Sequence, residues 1–361
     1  MERHSTDNEV FVGLDYHQDS VQVCVLDGRG RVLTNRSCVN DWRAVVSAVG
    51  PGRVRRAALE ACGGAADLAE ELTELAGWSV DLAHPGYVAR LKGSPDKTDF
   101  SDAQLLADLT RVGYLPKVWL APGWVRELRR LVRYRQQQVN ERRNVKLRIS
   151  ALLRDHRLRG PAGARPHGVA WRKWLDHTAT KQLPASSAWV TRRHLERLEQ
   201  LAQAIRVAED RLWDVTGEDQ LTMRLLEQPQ VGPVTAWVLR AEIGRFDRFA
   251  DGKALSRFCG LSPLNASSGD RQADAGLIKA GSNLLRATLI ELAHRLTWRD
   301  PRWRVFKQHL RERGKAGSVA AAAVANRWVR KLYYTMNETI NEGPMNAEVS
   351  GHDAVIPCGR R

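Results

Sequence analysis

Lys97-Thr98-Asp99-Phe100-Ser101-Asp102-Ala103 leads into the helix-forming run Gln104-Leu105-Leu106-Ala107-Asp108-Leu109, and its reading decides the N-terminal fold. Carboxylates three residues apart at the start of a helix project from one turn, so Asp99 and Asp102 make half of a metal site. Asp99 alone is equally explained as an N-cap, since an Asp before a helix accepts backbone N–H bonds and suits the positive end of the dipole. The pair gains weight from Asp15 and Glu60, each placed where an apolar strand ends. Hard cations such as Mg²⁺ are held by carboxylates gathered in this way.

Working outward, residues 9–14 and 21–26 read as strands, and Asp27-Gly28-Arg29-Gly30 is a turn into a third strand at 31–39. A helix over 41–49, a strand over 55–59 that delivers Glu60, a helix opened by Gly63-Gly64 and running through Ala76, and a strand over 79–83 follow. Three antiparallel strands followed by alternating helices and strands give an α/β domain, with strand-end carboxylates converging at one edge. Asp15, Glu60, Asp99 and Asp102 are therefore expected to share a cleft. The order is similar to that of the ribonuclease H-like fold of nucleases and transposases. Its phosphoryl-transfer chemistry uses two Mg²⁺ ions about 3.5–4 Å apart, whose charge needs several carboxylates.

Composition narrows the class of partner. The 361 residues suffice for two or three cores, and a net charge of +15 spread along the chain favours a polyanion, most often nucleic acid. The cysteines Cys24, Cys38, Cys62, Cys259 and Cys358 have no paired spacing, which argues against a zinc site or a disulfide framework. No apolar run reaches the roughly 18 residues needed to span a bilayer, and residues 1–8 lack a secretory apolar region. A cytoplasmic protein is expected.

Beyond Pro116 the chain turns basic and helical. Residues 124–159 carry Leu128, Leu131, Val132, Val139, Val145, Ile149, Leu152 and Leu153 as an imperfect stripe. Gly and Pro residues break the helix over 160–184. A second helix over 188–216 spaces Leu198, Leu201, Ile205, Ala208, Leu212 and Val215 as a short heptad seam. An antiparallel hairpin, as a dimerising coiled coil or a bundle within one subunit, is expected. The boundaries are a catalytic domain at 9–118, a coiled-coil region at 119–217, a mostly helical third domain at 218–338 and a disordered tail at 339–361. Within the third, Gln228-Pro229-Gln230-Val231-Gly232-Pro233-Val234-Thr235-Ala236 resembles a helix-hairpin-helix turn, whose backbone N–H groups meet phosphate oxygens. A plain turn between helices explains it equally. Residues 298–303 are expected to break a helix, and 314–336 to form the last one.

Taken together, these motifs resemble the DEDD transposases of insertion sequences that encode a bridge RNA, related to the Piv DNA invertase. The shared residues are Gly13-Leu14-Asp15 with His17, Leu59-Glu60-Ala61, Lys97-Thr98-Asp99 with Asp102-Ala103, and Gly232-Pro233-Val234-Thr235-Ala236. Gly260-Leu261 with Pro263, Ser268-Gly269, Lys279 with Gly281, and Leu285-Arg286 complete the set, in order over 11 to about 295. Ala280 stands where the family usually has Arg, and Ser282 where it usually has Asn.

The resemblance implies a RuvC-like ribonuclease H-fold domain, a coiled coil and a transposase domain. It implies Mg²⁺ on Asp15, Glu60, Asp99 and Asp102, with Ser268 as the nucleophile that forms a phosphoserine link to DNA; Ser267 is its competitor. Arg271, Lys279 and Arg286 become candidate phosphate ligands. Donor and target DNA, a guide RNA and further copies of the chain become the expected partners, with Ser268 of one subunit beside the carboxylates of another. A junction resolvase of the same fold would need the four carboxylates but not Ser268. A non-catalytic nucleic-acid-binding coiled-coil protein would need neither.

Overall fold

The computed structural model describes residues 9–91, 98–265, 274–278 and 281–338. The chain divides into two compact units, 1–123 and 124–361.

The first unit is a mixed α/β domain. Its elements are β1 (Glu9–Tyr16), β2 (Ser20–Asp27), β3 (Val32–Val39), α1 (Trp42–Val49), β4 (Arg53–Glu60), α2 (Ala65–Glu74), β5 (Val80–Ala83), α3 (Pro85–Leu91), α4 (Asp99–Arg111) and β6 (Lys117–Val118). They form one sheet of order β3-β2-β1-β4-β5-β6. β1, β2 and β3 run as an antiparallel meander, β4 and β5 are parallel to β1, and the two-residue β6 closes the edge antiparallel.

Both faces of the sheet are covered, and the period-two alternation of side chains assigns each residue to a face. Val10, Val12 and Leu14 of β1, Val21, Val23 and Val25 of β2, and Ala57 and Leu59 of β4 pack with Val45 of α1 and Leu68 and Leu72 of α2. The intervening residues look the other way. Cys24 and Leu26 meet Ala103 and Ala107 of α4, and Ala58 and Ala83 meet Leu106, Leu109 and Val88. Small residues line this second face, so α4 comes close to the strands. Its amide and carbonyl groups leave no room for even a methyl group at Gly13.

The second unit is helical: α5 (Gly123–Asp155), α6 (Val169–Trp174), a π-helical turn (Leu175–Ala179), α7 (Thr180–Gln182), α8 (Ala185–Thr216), α9 (Gln220–Leu226), α10 (Pro233–Ile243) and α11 (Gly252–Phe258) lead to the strand pair β7 (Pro263–Asn265) and β8 (Asp274–Leu277). α12 (Asn283–Arg299), α13 (Pro301–Glu312) and α14 (Gly317–Glu338) follow. α5 and α8 form an antiparallel hairpin, joined by Arg135–Glu209 at 2.6 Å and Arg197–Glu141 at 2.7 Å. Val145, Ile149 and Leu153 of α5 are buried with Leu198 and Leu201 of α8, together with Trp171 and Leu175 from the segment between.

Two expectations need correction. Val215 does not continue the α8 seam: it is 41% exposed, and the neighbouring Thr216 turns inward with no exposure. There the Thr216 hydroxyl donates to Leu212 O at 2.6 Å and accepts from the Trp237 indole N–H at 2.9 Å. The segment after Trp298 is not merely a break, because α13 begins at Pro301. Asp300 caps it by accepting from Arg302 N at 2.9 Å, and proline at the first helical position gives up an N–H that has no intrahelical partner.

Candidate metal and nucleic-acid site

Asp15 follows Gly13, and Glu60 follows Ala58, by two residues along their strands, so all four lie on the face covered by α4. β1 and β4 are parallel neighbours, with Leu14 opposite Leu59, which sets Asp15 and Glu60 at the same end of adjacent strands. The first turn of α4 supplies Asp99 and Asp102 over that end.

The start of α4 is fixed locally. Thr98, not Asp99, is its N-cap: the Thr98 hydroxyl oxygen accepts from Ser101 N at 3.2 Å, and Ser101 Oγ donates back to Thr98 O at 2.8 Å. Asp99 is thereby relieved of capping and faces the cluster. Asn35 of β3 donates to Phe100 O at 3.1 Å and accepts from Gln22 of β2 at 2.7 Å, which ties this turn to the meander.

His17 completes the group. Its Nε2 lies 3.4 Å from Asp15 Oδ2 and 3.3 Å from Asp99 Oδ2. One ligand atom from each of Asp15, His17 and Asp99 falls within 4.8 Å of the others. Asp102 is 8% exposed. The Asp15 carboxyl is raised above its ordinary value: burial pushes it up, His17 pulls it down, and Asp99, Asp102 and Glu60 each push it up again. The other three carboxylates are thus close enough to act on Asp15, and negative charge gathered in this way favours a cation. The donors are oxygens with at most one imidazole nitrogen, a set suited to a hard divalent ion rather than a thiophilic one. The pairing of His17 with the cluster had only the weak sequence cue of its position two residues beyond Asp15, which also suits a polar strand end.

The remaining expected site residues belong to the second unit of the chain. Ser267, Ser268, Arg271 and Lys279 fall outside the described residues. Arg286 sits in the first turn of α12, where its guanidinium donates to Asn283 Oδ1. Ser282 caps that helix by accepting from Leu285 N at 3.3 Å. Ser and Asn are comparably good N-caps, so serine starts this helix as well as the Asn that the resemblance leads one to expect. The helix-hairpin-helix segment is a turn between α9 and α10, with Gly232 as N-cap, Pro233 first in α10 and Gln230 left-handed at φ 65°. Among the described residues no helix is long and apolar enough to cross a membrane.

An acidic cluster at the carboxyl ends of parallel strands is the kind of site that enzymes acting on nucleic acids use, and comparison with known proteins bears on that class directly. Residues 12–157 match the IS110-type DEDD transposase family, and residues 223–308 match the transposase IS116/IS110/IS902 family. The chain is 26% identical over 346 residues to the transposase for insertion sequence element IS1111A of Coxiella burnetii, covering 94% of each chain. It is 27% identical to a probable family 20 transposase of Pseudomonas aeruginosa, over 89% of this chain and 95% of that one. A third relative is the transposase for insertion sequence element IS1328 of Yersinia enterocolitica, 24% identical over 90% of this chain and 95% of its own. The chain belongs to the IS116/IS110/IS902 family of transposases, enzymes that act on DNA.

Proposed function

We propose that the chain is the recombinase of an insertion sequence, with a RuvC-like ribonuclease H-fold first domain. In this reading it cuts and rejoins donor and target DNA as a homo-oligomer in the cytoplasm, guided by a bridge RNA. The observation that supports the reading is that Asp15 has Glu60, Asp99 and Asp102 near enough to add to the upward push that burial gives its carboxyl.

These carboxylates would hold divalent metal, Mg²⁺ by the hardness of their oxygens, as one or two ions. Bound there, the metal would withdraw charge from phosphate oxygens and from the leaving oxygen. Ser268 Oγ attacks a DNA phosphorus; an Oγ–P bond forms, one P–O bond to the sugar breaks, and the freed sugar hydroxyl takes the proton that serine gives up. The phosphoserine ester keeps the bond energy of the phosphodiester, so rejoining needs no nucleotide triphosphate. Arg271, Lys279 and Arg286 hold the backbone, and base pairing to the RNA sets the sequence.

The test incubates purified protein with end-labelled DNA carrying the element's ends and resolves the products on a denaturing gel. Wild type should give a covalent protein–DNA adduct that disappears in Ser268→Ala and Asp102→Asn. An adduct from Ser268→Ala moves the role to another residue, with Ser267 first. Cutting by Ser268→Ala without an adduct leaves a metal-dependent junction nuclease. Undiminished cutting by Asp102→Asn would sink the metal site. RNA recovered with protein expressed beside its flanking DNA should be one structured species; a broad smear of cellular RNA would remove the guide.

A further inference from the structure

The hairpin of the second unit ends in a feature that the carboxylate cluster does not use. α5 is closed by two hydrogen bonds, Leu158 N to Leu153 O and Arg157 N to Arg154 O, both at 2.9 Å, with Arg157 left-handed at φ 56°. That pattern usually carries glycine at the left-handed position, because a Cβ is disfavoured there. Here it carries an arginine, and backbone strain of this kind gathers where a side chain has work to do.

Arg157 stands at the mouth of a cleft of about 470 Å³, lined by Arg154, Arg157 and Arg159 together with Leu153, Leu158 and Trp171. No acidic residue lines it. The three guanidinium groups make no ion pair among the described residues, whereas Arg135 and Arg197 on the same hairpin are both paired. The surroundings add positive charge. Burial, then Lys146 and Arg172, hold the nearby His167 imidazole below its ordinary value. His167 reaches this place by donating to or accepting from Ser150 Oγ, also on the cleft wall, at 3.2 Å.

A second observation points to the same ligand. His156 Nε2 lies 2.9 Å from Ser187 Oγ, so the start of α8 stands at this end of the hairpin. Two residues on, Trp189 is 62% exposed, with the Arg193 guanidinium 5.8 Å from its ring centre. Arg193 is itself paired with Glu196, so what this end of α8 adds is the exposed indole face, on which single-strand binders stack a base while cations such as those of the cleft follow the backbone. A cleft of this volume, with apolar walls, suits one unpaired nucleotide at a time. A duplex keeps its bases inside and offers such walls nothing to cover.

We propose that the tip of the α5–α8 hairpin binds the phosphodiester backbone of an unpaired polynucleotide strand in the cleft of Arg154, Arg157 and Arg159. The site is independent of the carboxylates, and its readout is binding rather than cutting, so its failure is separable from that of the proposed reaction.

The experiment measures fluorescence anisotropy of labelled oligo-rU, oligo-dT and a DNA duplex of equal length, with the full chain, over a range of salt. Arg154→Gln/Arg157→Gly/Arg159→Gln should bind the single strands about tenfold or more weaker, with a salt slope smaller by about 2 for three lost phosphate contacts, and lose less on the duplex. Whether rU or dT suffers more identifies RNA or DNA as the source of the strand. An equal loss in the control Arg206→Gln/Arg211→Gln/Arg313→Gln, or an equal loss on duplex, reduces the effect to net charge and overturns the site. Arg157→Gly alone should melt about 2–4 °C higher while binding more weakly. A lower melting temperature, or unchanged binding, overturns the role of Arg157.

Discussion

A β-carbon placed on Gly13 would lie 1.9 Å from the carbonyl oxygen of Ala103, and 2.4 Å from the amide nitrogen of Ala107. α4 therefore rests backbone to backbone on β1, two residues before Asp15. Nothing flexible is available to move aside, so Gly13→Ala must lift the helix that carries Asp99 and Asp102. It is expected to cost about 3 kcal/mol or more, at the upper end for overpacking, and to abolish DNA cutting. Urea unfolding of the variant checks this; unchanged stability would mean that α4 is not seated as described.

Mutual repulsion among the four carboxylates should make the first unit respond to divalent metal. Binding to the folded state alone adds about 2.7 kcal/mol at a hundred times the dissociation constant. Mg²⁺ should therefore raise the melting temperature, and chelation should reverse the rise. Asp15→Asn should not respond. A thermal shift that survives in Asp15→Asn places the ion elsewhere.

Asp219 and Arg240 hold α9 to α10 inside the second unit. Arg240 is 4% exposed and donates from Nε to Asp219 Oδ2 at 2.7 Å and from Nη2 to Oδ1 at 3.0 Å. Burial pushes the Asp219 carboxyl up, but hydrogen bonds from Arg240 and Thr222 outweigh it and hold the group below the usual range. A depressed folded value gives stability that is present above the unfolded value of about 3.9 and is lost as pH falls through the folded one. Stability of the wild type should thus drop below about pH 4 partly through this group. Asp219→Ala, which strands a buried guanidinium, should cost about 3–5 kcal/mol at neutral pH and flatten that part of the acid limb.

The Thr216–Trp237 bond offers a neutral counterpart. Thr216→Val keeps the shape but leaves a buried indole N–H without its acceptor, at a cost of about 1–3 kcal/mol by chemical denaturation. A change below about 0.5 kcal/mol would mean that water reaches the indole.

Much of the first unit was legible because β1, β2 and β4 are short apolar runs bounded by turn and charged residues and α1 and α2 are amphipathic. The order of three meander strands, then helix and strand in turn, already sets Asp15 and Glu60 near each other. What escaped were features decided by contacts rather than by pattern. Thr98 takes the cap that Asp99 equally suits, because only the folded turn shows which side chain points back at the amides. Val215 and Thr216 exchange faces because Trp237, distant in sequence, supplies a donor. α13 hides behind Asp300-Pro301, which reads as a stop and acts as a start. β6 has two residues and therefore no period at all. His17 joins Asp15 and Asp99 through the docking of α4, which no local spacing records.

That docking also has a consequence in time. β1 is made early and α4 is made only after five strands of the same sheet, yet the acidic cluster needs both. During synthesis the strand-end carboxylates stand apart until the small-residue face has closed under α4. A chain that stops, is clipped or misfolds before that moment carries the acidic residues but no assembled centre, so the metal-binding capacity proposed for this fold arrives in one step, when α4 docks.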